Sequence, residues 1–476
     1  MALLERLVRP EAPGGWTRLL AQPRPLPLHL PAHGRGRALA PALRRLLRQP
    51  PGRWDLPELP AIGGPLEPEG AVAEAQRTVA ALLGARRCWF GVNGASGLLQ
   101  AALLALAAPG ERVLLPRNLH RSLLHGCLLG QLRPVLYDLP FDSATGLWLP
   151  PDPAHLALRL EQALAAGPLA ALVLVSPSYQ GLAGDLAGLI GAAHQRGLPV
   201  LVDEAHGAHL GLDARLPPAA LACGADLVVQ SLQKAAGGLA QSAVLLQGPA
   251  ARLPQAAIER ALLWLQTSSP SALLLASSEA ALLDLRSGAG RRRLARALDR
   301  GLWLRQRLQA CGLPLLANQD PLRLVLHTAA IGINGLDADG WLMQRGVIAE
   351  LPEPGALTFC LGLRPPAALA WRLPRLLQRL RTQLGGAPFP PFTAPPLPAI
   401  AEPELPLGQA WRAPVERVPL ALAAGRLAAE PLCPYPPGIP LLIPGERIDV
   451  ARAAWLQQQQ RLWPGQIADT VSVVAG

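Results

Sequence analysis

The chain has 476 residues, half of them hydrophobic and only 16% charged, with a formal net charge of +11. That length provides for two to three domains with a large core, and the composition excludes a disordered chain. The charge does not make a nucleic-acid site: the arginines are scattered, the longest run is Arg291 to Arg293, and aromatics are only 4% of residues, too few to interleave with basic clusters.

Residues 1–60 are rich in Pro and Arg, with one short helical stretch, APALRRLLRQ, and are expected to form an arm laid over a main domain. The start, MALLERLVRPEAPGGW, carries charges at residues 5, 6 and 9 and has no continuous apolar stretch. No later run approaches membrane-spanning length, so a soluble cytoplasmic protein with no membrane partner is expected. Six cysteines lie far apart without a CxxC pair, which fits buried thiols of a reduced compartment and no metal site.

Residues 61–313 read as the large unit. AVAEAQRTVAALLG has the spacing of a helix, CWFGV that of a strand, NGASG a glycine turn, and LLQAALLALAAPG a helix ending at Gly110. The alternation continues with RVLLP, ALVLV at 171–175, LPVLV at 198–202 and ADLVV at 225–229. Short, wholly apolar strands between helices predict a parallel sheet covered on both faces. Mostly helical patterns fill 255–310. A smaller α+β unit is expected over 314–386, from strand-like LRLVLHTA, helix-like LDADGWLMQRG and strand-like ALTFCLGL. Residues 387–406 have the composition of a Pro-rich linker, and a last unit occupies 407–476.

In open parallel sheets ligands gather beyond the carboxyl ends of the strands. CWFGV is followed by Asn93, Gly94, Ala95 and Ser96 at a helix start, where free N–H groups and a hydroxyl suit a phosphate. RVLLP leads to Arg117, Asn118 and His120, ALVLV to Ser176, Ser178 and Tyr179, LPVLV to Asp203, Glu204 and His206, and ADLVV to Gln230, Ser231 and Lys234. Lys234 is the only lysine; the other 43 of the 44 basic side chains (44 − 1) are arginine. A lysine can lose its proton when desolvated and attack a carbonyl, which an arginine does not do.

A phosphate cradle, an aspartate at one strand end and a lysine after the next are what pyridoxal 5'-phosphate requires. Lys234 would hold its aldehyde as a Schiff base, Asp203 would pair with the ring nitrogen, His120 would lie against the ring face, and Ser96 and Ser231 would hold the phosphate. Taken singly, each has a plainer reading: a serine after a strand is most often a cap, and Asp203 alone would be a strand-end cap. His125, His155, His194 and His327 are read as ordinary histidines. VDEAH at 202–206 also matches the acidic box of certain helicases, but those need a phosphate-binding loop ending in Gly-Lys, and the one lysine here follows Ser-Leu-Gln.

VDEAHGAHLG followed by GADLVVQSLQK resembles the Orn/Lys/Arg decarboxylase family of fold-type I pyridoxal-phosphate enzymes. HLPAHGRG at 29–36, LPELPAIGGPLEPEG, VNGASG, PRNLHRS, SPSYQG and LQTSSPSALLLAS at 265–277 resemble family motifs in family order, and ERVPLALAAGRLAAE, CPYPPGIP and LLIPGE at 416–446 look like its C-terminal domain. The resemblance implies an α/β fold: a fold-type I transferase-like large domain with a mainly parallel sheet, a smaller α+β domain and a C-terminal decarboxylase domain. It implies decarboxylation of lysine, arginine or ornithine, with Lys234, Asp203, His120 and His206 catalytic. Lys234, Asp203, His120, Ser96, Gly94 and Ser231 would bind the cofactor. Thr267 and Ser268 would reach the phosphate region of a neighbouring subunit in a homodimer or higher homo-oligomer. Tyr179 and Tyr435 fall inside the motifs.

The chain departs from the family pattern at Gln233, where a histidine usually precedes the lysine, and at Gly34, Ala95, Gly97 and Gln180. Gln233 can donate a hydrogen bond but cannot act as a general acid. Transamination or aldol cleavage, and a relative that binds cofactor without turnover, are the alternatives at this point. Glu69, Glu350 and Glu446 are unranked candidates for reading a distal cation on the substrate.

Overall fold

The computed structural model describes residues 25–476 apart from 58, 435–438, 464 and 466. Tyr435 therefore lies outside the described residues. The strands that matter below are β1 (Arg87–Gly91), β2 (Arg112–Pro116), β3 (Arg133–Tyr137), β4 (Ala171–Val175), β5 (Val200–Asp203), β6 (Leu227–Ser231), β7 (Ala243–Gln247), β8 (Arg323–His327), β9 (Leu351–Glu353), β10 (Ala356–Cys360), β11 (Ile400–Ala401), β12 (Val415–Pro419) and β13 (Thr470–Val474).

Eight of them form one sheet in the order β11-β3-β2-β4-β5-β6-β7-β1. The run from β3 to β6 is parallel, β7 is antiparallel to both β6 and β1, and β11 closes the far edge antiparallel to β3. The mainly parallel expectation holds. Three strands lie beyond the five read from the sequence: β3, whose RPVLY opens on a charged residue and a proline, β7, which returns directly from the Lys234 turn, and β11, two residues of the Pro-rich stretch.

Strand side chains alternate between two cores. Phe90, Leu114, Leu172, Val202, Val228 and Val244 face one, with helices Ala71–Leu83, Pro153–Ala165, Leu186–His194 and Ala272–Arg286 over them. Trp89, Val113, Val173, Leu201, Val229 and Leu245 face the other, under helices Gly94–Leu106, Arg121–Leu129 and Gln255–Leu265. Burial of each such Leu or Val contributes about 1.5–3 kcal/mol. With both faces covered, polar residues collect where the strands end.

A three-stranded antiparallel sheet, β8-β10-β9, packs with helices Gly335–Met343 and Leu369–Leu384 around a separate core. The antiparallel pair β12–β13 and helix Val450–Leu462 enclose the last core. The Pro-rich stretch is largely extended and irregular; within it Phe392 stacks near Trp463, and Ile400–Ala401 supplies the sheet edge.

One segment, a short strand followed by a bend, stitches these parts. Leu26–Pro27 pairs in parallel with Val347–Ile348, and the Leu28 carbonyl accepts from Cys360 N–H at 2.7 Å. Leu30 N–H donates to Glu350 Oε2 at 2.7 Å, and Ala32 N–H donates to the Gln233 carbonyl, beside Lys234, at 2.9 Å.

Candidate active site

Lys234 sits on the short helix Leu232–Ala235 that follows β6, with Ser231 at its N-cap. Its Nζ lies 3.0 Å from His206 Nε2 and 5.3 Å from the centre of the Tyr179 ring. The Tyr179 and His206 rings are themselves 4.2 Å apart. Three segments from three strand ends, SPSYQG after β4, DEAH at the end of β5 and SLQK at the end of β6, thus converge on one amine. Burial lowers the proton affinity of Lys234, and Arg323 adds to this, while Asp203 and Glu350 oppose it. A lysine held this way is more readily the neutral nucleophile.

Asp203, the last residue of β5, is buried and accepts one hydrogen bond, from Ala205 N–H at 3.1 Å. Burial pushes its carboxyl up, opposed by the Lys234 charge and that hydrogen bond. A cationic ring N–H is the partner that would restore the carboxylate. His206 is buried and held well below its usual range, first by desolvation and then by the Lys234 charge; its Nδ1 has no hydrogen-bond partner. His120 caps helix Arg121–Leu129, with Nδ1 2.8 Å from Ser122 Oγ and accepting Ser122 N–H at 3.3 Å. Burial and the Lys234 charge bring it down to about 4, so the ring is neutral near pH 7, and with Nδ1 accepting, the proton is assigned to Nε2.

Gly94 opens helix Gly94–Leu106 at φ +68°, a left-handed conformation that favours glycine, and it brings Ser96 into the first turn with that turn's free N–H groups. Ser231 is buried and its hydroxyl caps nothing in its own helix. Thr267 and Ser268 are exposed. Their stretch is tied to the end of β1 by Asn93 Nδ2 donating to the Leu265 carbonyl at 3.1 Å and Gln266 Nε2 donating to the Phe90 carbonyl at 3.0 Å. The four ordinary histidines have local partners or solvent: His155 beside Asp138, His194 at 2.8 Å from Asp226, His327 on the Ala144 carbonyl, and His125 exposed.

The three candidate carboxylates separate. Glu69 is exposed. Glu446 is fully engaged: Arg117 donates to it through Nη2 at 2.6 Å and Nη1 at 3.0 Å, and it also accepts from Ile443 N–H at 2.8 Å. Glu350 acts on the charge of Lys234. Gln180, read as a departure, donates to buried Glu353 at 2.8 Å, and burial pushes that carboxyl up to about 7. Residues that the sequence did not single out also gather here: His209 pairs with Asp320 at 3.2 Å, both fully buried, and Arg323 lies three residues further along the chain. Asp320 and Arg323 flank the Pro-Leu that opens β8, and an Asp and an Arg at the edge of an apolar run were the only signal available.

The residues fit pyridoxal phosphate: a buried lysine amine, a buried carboxylate with acceptor capacity to spare, a neutral histidine and two hydroxyls at helix starts. A family described as Orn/Lys/Arg decarboxylase, major domain, matches residues 21–328, and its C-terminal domain matches 392–467. The chain belongs to the Orn/Lys/Arg decarboxylase family. As a family member it is a pyridoxal-phosphate-dependent amino-acid decarboxylase. It is 30% identical over 458 residues to an arginine decarboxylase of Halalkalibacterium halodurans, covering 93% of this chain and 91% of that one. It is also 30% identical over 449 residues to an arginine decarboxylase of Bacillus subtilis, covering 90% and 89%. The fold matches lysine decarboxylase A from Pseudomonas aeruginosa with a TM-score of 0.74 at 19% identity, over 89% of this chain and 74% of that one. No helix among the described residues of this family member is long and apolar enough to cross a membrane.

Proposed function

We propose that this decarboxylase removes the carboxylate of arginine, releasing carbon dioxide and the corresponding amine. The full-length relatives named arginine decarboxylase support the choice of substrate. The observation that carries the site is the 3.0 Å approach of Lys234 Nζ to His206 Nε2 inside a pocket that also holds Asp203 and His120 within electrostatic reach. The bound cofactor supplies an electron sink for the pair left when the bond between Cα and the carboxylate breaks.

The chain's own groups do the rest. Lys234 Nζ, its proton affinity lowered by burial, would anchor the cofactor and make way for the substrate amine. His206 Nε2 takes and returns a proton at that Nζ, so the amine leaves and re-enters in the right protonation state. Asp203 would hold a proton on the cofactor's ring nitrogen by its charge, and neutral His120 would pack against the cofactor. Gly94, Ser96 and Ser231 bind the phosphate with backbone and hydroxyl donors. With Gln233 unable to deliver a proton, the protonated Lys234 Nζ is the donor to Cα. Glu350 reads the distal cation; Glu446 is spent on Arg117.

The working unit is a homodimer or larger, in the cytoplasm. Leu263 and Trp264, 68% and 81% exposed, sit immediately before the exposed Thr267 and Ser268. An apolar patch beside two hydroxyls suits a partner subunit whose phosphate site those hydroxyls complete.

Carbon dioxide release by purified protein with pyridoxal phosphate, given arginine, lysine or ornithine separately and with Lys234→Ala as blank, tests the reading. Release from arginine that the variant lacks is expected. Release only from lysine or ornithine would reassign the substrate, and no release at all would sink the decarboxylase reading.

A further inference from the structure

Arg323 is 1% exposed, yet its guanidinium has no ion pair among the described residues, and its Nε and Nη2 are buried with no hydrogen-bond partner. Asp320, three residues earlier, is paired instead with His209. Buried guanidinium donors left without an acceptor cost free energy and persist where a ligand that accepts them spends time beside them. Arg323 is at the active site: its charge acts on Lys234, and against the cost of burial Cys360, Asp320, Glu350 and Tyr179 favour its charged form. The SPSYQG loop that carries Tyr179 packs on its stem, since a Cβ placed on Gly181 would lie 3.0 Å from Arg323 Cβ and Cγ.

We infer that Arg323 is the receptor for the substrate's α-carboxylate, the group that is lost in the reaction. This rests on the reading of the site as one that takes an amino acid. A planar guanidinium offers a carboxylate paired donors and so fixes the orientation of the bond to Cα. Glu350 and Arg323 form no ion pair with each other, so the pocket keeps one anionic and one cationic wall near Lys234. A basic amino acid has both complements. The amine product has lost the group that Arg323 holds, which weakens its grip on the site.

The test compares holoenzyme of wild type, Arg323→Lys and Arg323→Met for binding two analogues. One is 5-guanidinopentanoate, which keeps the carboxylate and distal cation but lacks the α-amino group; the other is agmatine, which lacks the carboxylate. Arg323→Met is expected to lose about 10- to 100-fold in affinity for 5-guanidinopentanoate while agmatine binding stays unchanged, with Arg323→Lys in between. The thermal midpoint should change little in Arg323→Met and Arg323→Lys alike, because the buried Nε and Nη2 make no hydrogen bond that the fold would lose. Equal loss for both analogues, no loss for either, or a midpoint that falls in Arg323→Met and recovers in Arg323→Lys would overturn the assignment. If wild type releases carbon dioxide from no amino acid but the selective loss of 5-guanidinopentanoate remains, the receptor stands and the reaction class falls. If release occurs and selectivity does not move, the receptor alone falls.

Discussion

Glu446 accepts two hydrogen bonds from Arg117, at 2.6 and 3.0 Å, across a sequence separation of 329 residues. Arg117 follows β2 and lies three residues before His120, so the C-terminal unit grips the same turn that carries His120. Glu446→Gln leaves a fully buried guanidinium facing a neutral partner. A loss of about 3–5 kcal/mol is expected, read as a lowered calorimetric midpoint. The double variant Glu446→Met with Arg117→Met should recover most of it, and a single variant as stable as wild type would show that the pair is not the clamp.

Glu353 gives the enzyme an unusual response to alkali. Its buried carboxyl keeps its proton up to about 7, whereas the unfolded chain releases it near 4.5. Between those values the native state binds more protons, so stability falls as pH rises through the window, by about 3 kcal/mol at most. Glu353→Gln keeps an acceptor for Gln180 and removes the titration. Thermal midpoints of the variant should therefore exceed wild type above pH 7 and match it near pH 4.5.

His120 works in the opposite direction. Its folded value is brought down to about 4 from 6.5 by burial and the Lys234 charge. The unfolded chain takes up the proton first as pH falls, so the stability that neutral His120 permits is lost between 6.5 and 4. His206, also held low, adds to the same slope. In His120→Phe the midpoint should fall less steeply with acid than in wild type; parallel curves would remove His120 from the acid response.

Gly181 sits at φ +78°, and a Cβ there would press on Arg323 Cβ, Arg323 Cγ and Asp320 Cβ, each at 3.0 Å. Gly181→Ala combines left-handed strain of about 1–2 kcal/mol with displacement of the Arg323 stem. The expected signature is a modest drop in midpoint together with a raised KM for the amino acid; an unchanged KM would mean that the stem yields without moving the guanidinium.

Much of this architecture was legible from local pattern. Apolar runs of five residues between helical spacings marked the sheet, and the polar residues after each run were the ones that converge on Lys234. Periodicity carries no strand direction, so the reversal of β7 was invisible, and an Arg-Pro opening hid β3. Partners that depend on distant segments were equally hidden: Gln180 read as a departure until Glu353 was seen opposite it, and Glu446 read as a substrate reader because Arg117 is a third of a thousand residues away. Arg323 was indistinguishable from the many arginines around it, since its distinction is the lack of a partner, which only a folded chain displays.

The segment from Leu26 to Ala32 hydrogen-bonds Cys360, Glu350 and Gln233 in turn, with Lys234 the next residue. Both of those contacts to Glu350 and to the Lys234 turn are made by main-chain N–H groups of Leu30 and Ala32. The two catalytic-face segments are therefore held to one another through a third stretch of backbone, and exchanging the side chains of Leu30 or Ala32 would leave both hydrogen bonds in place.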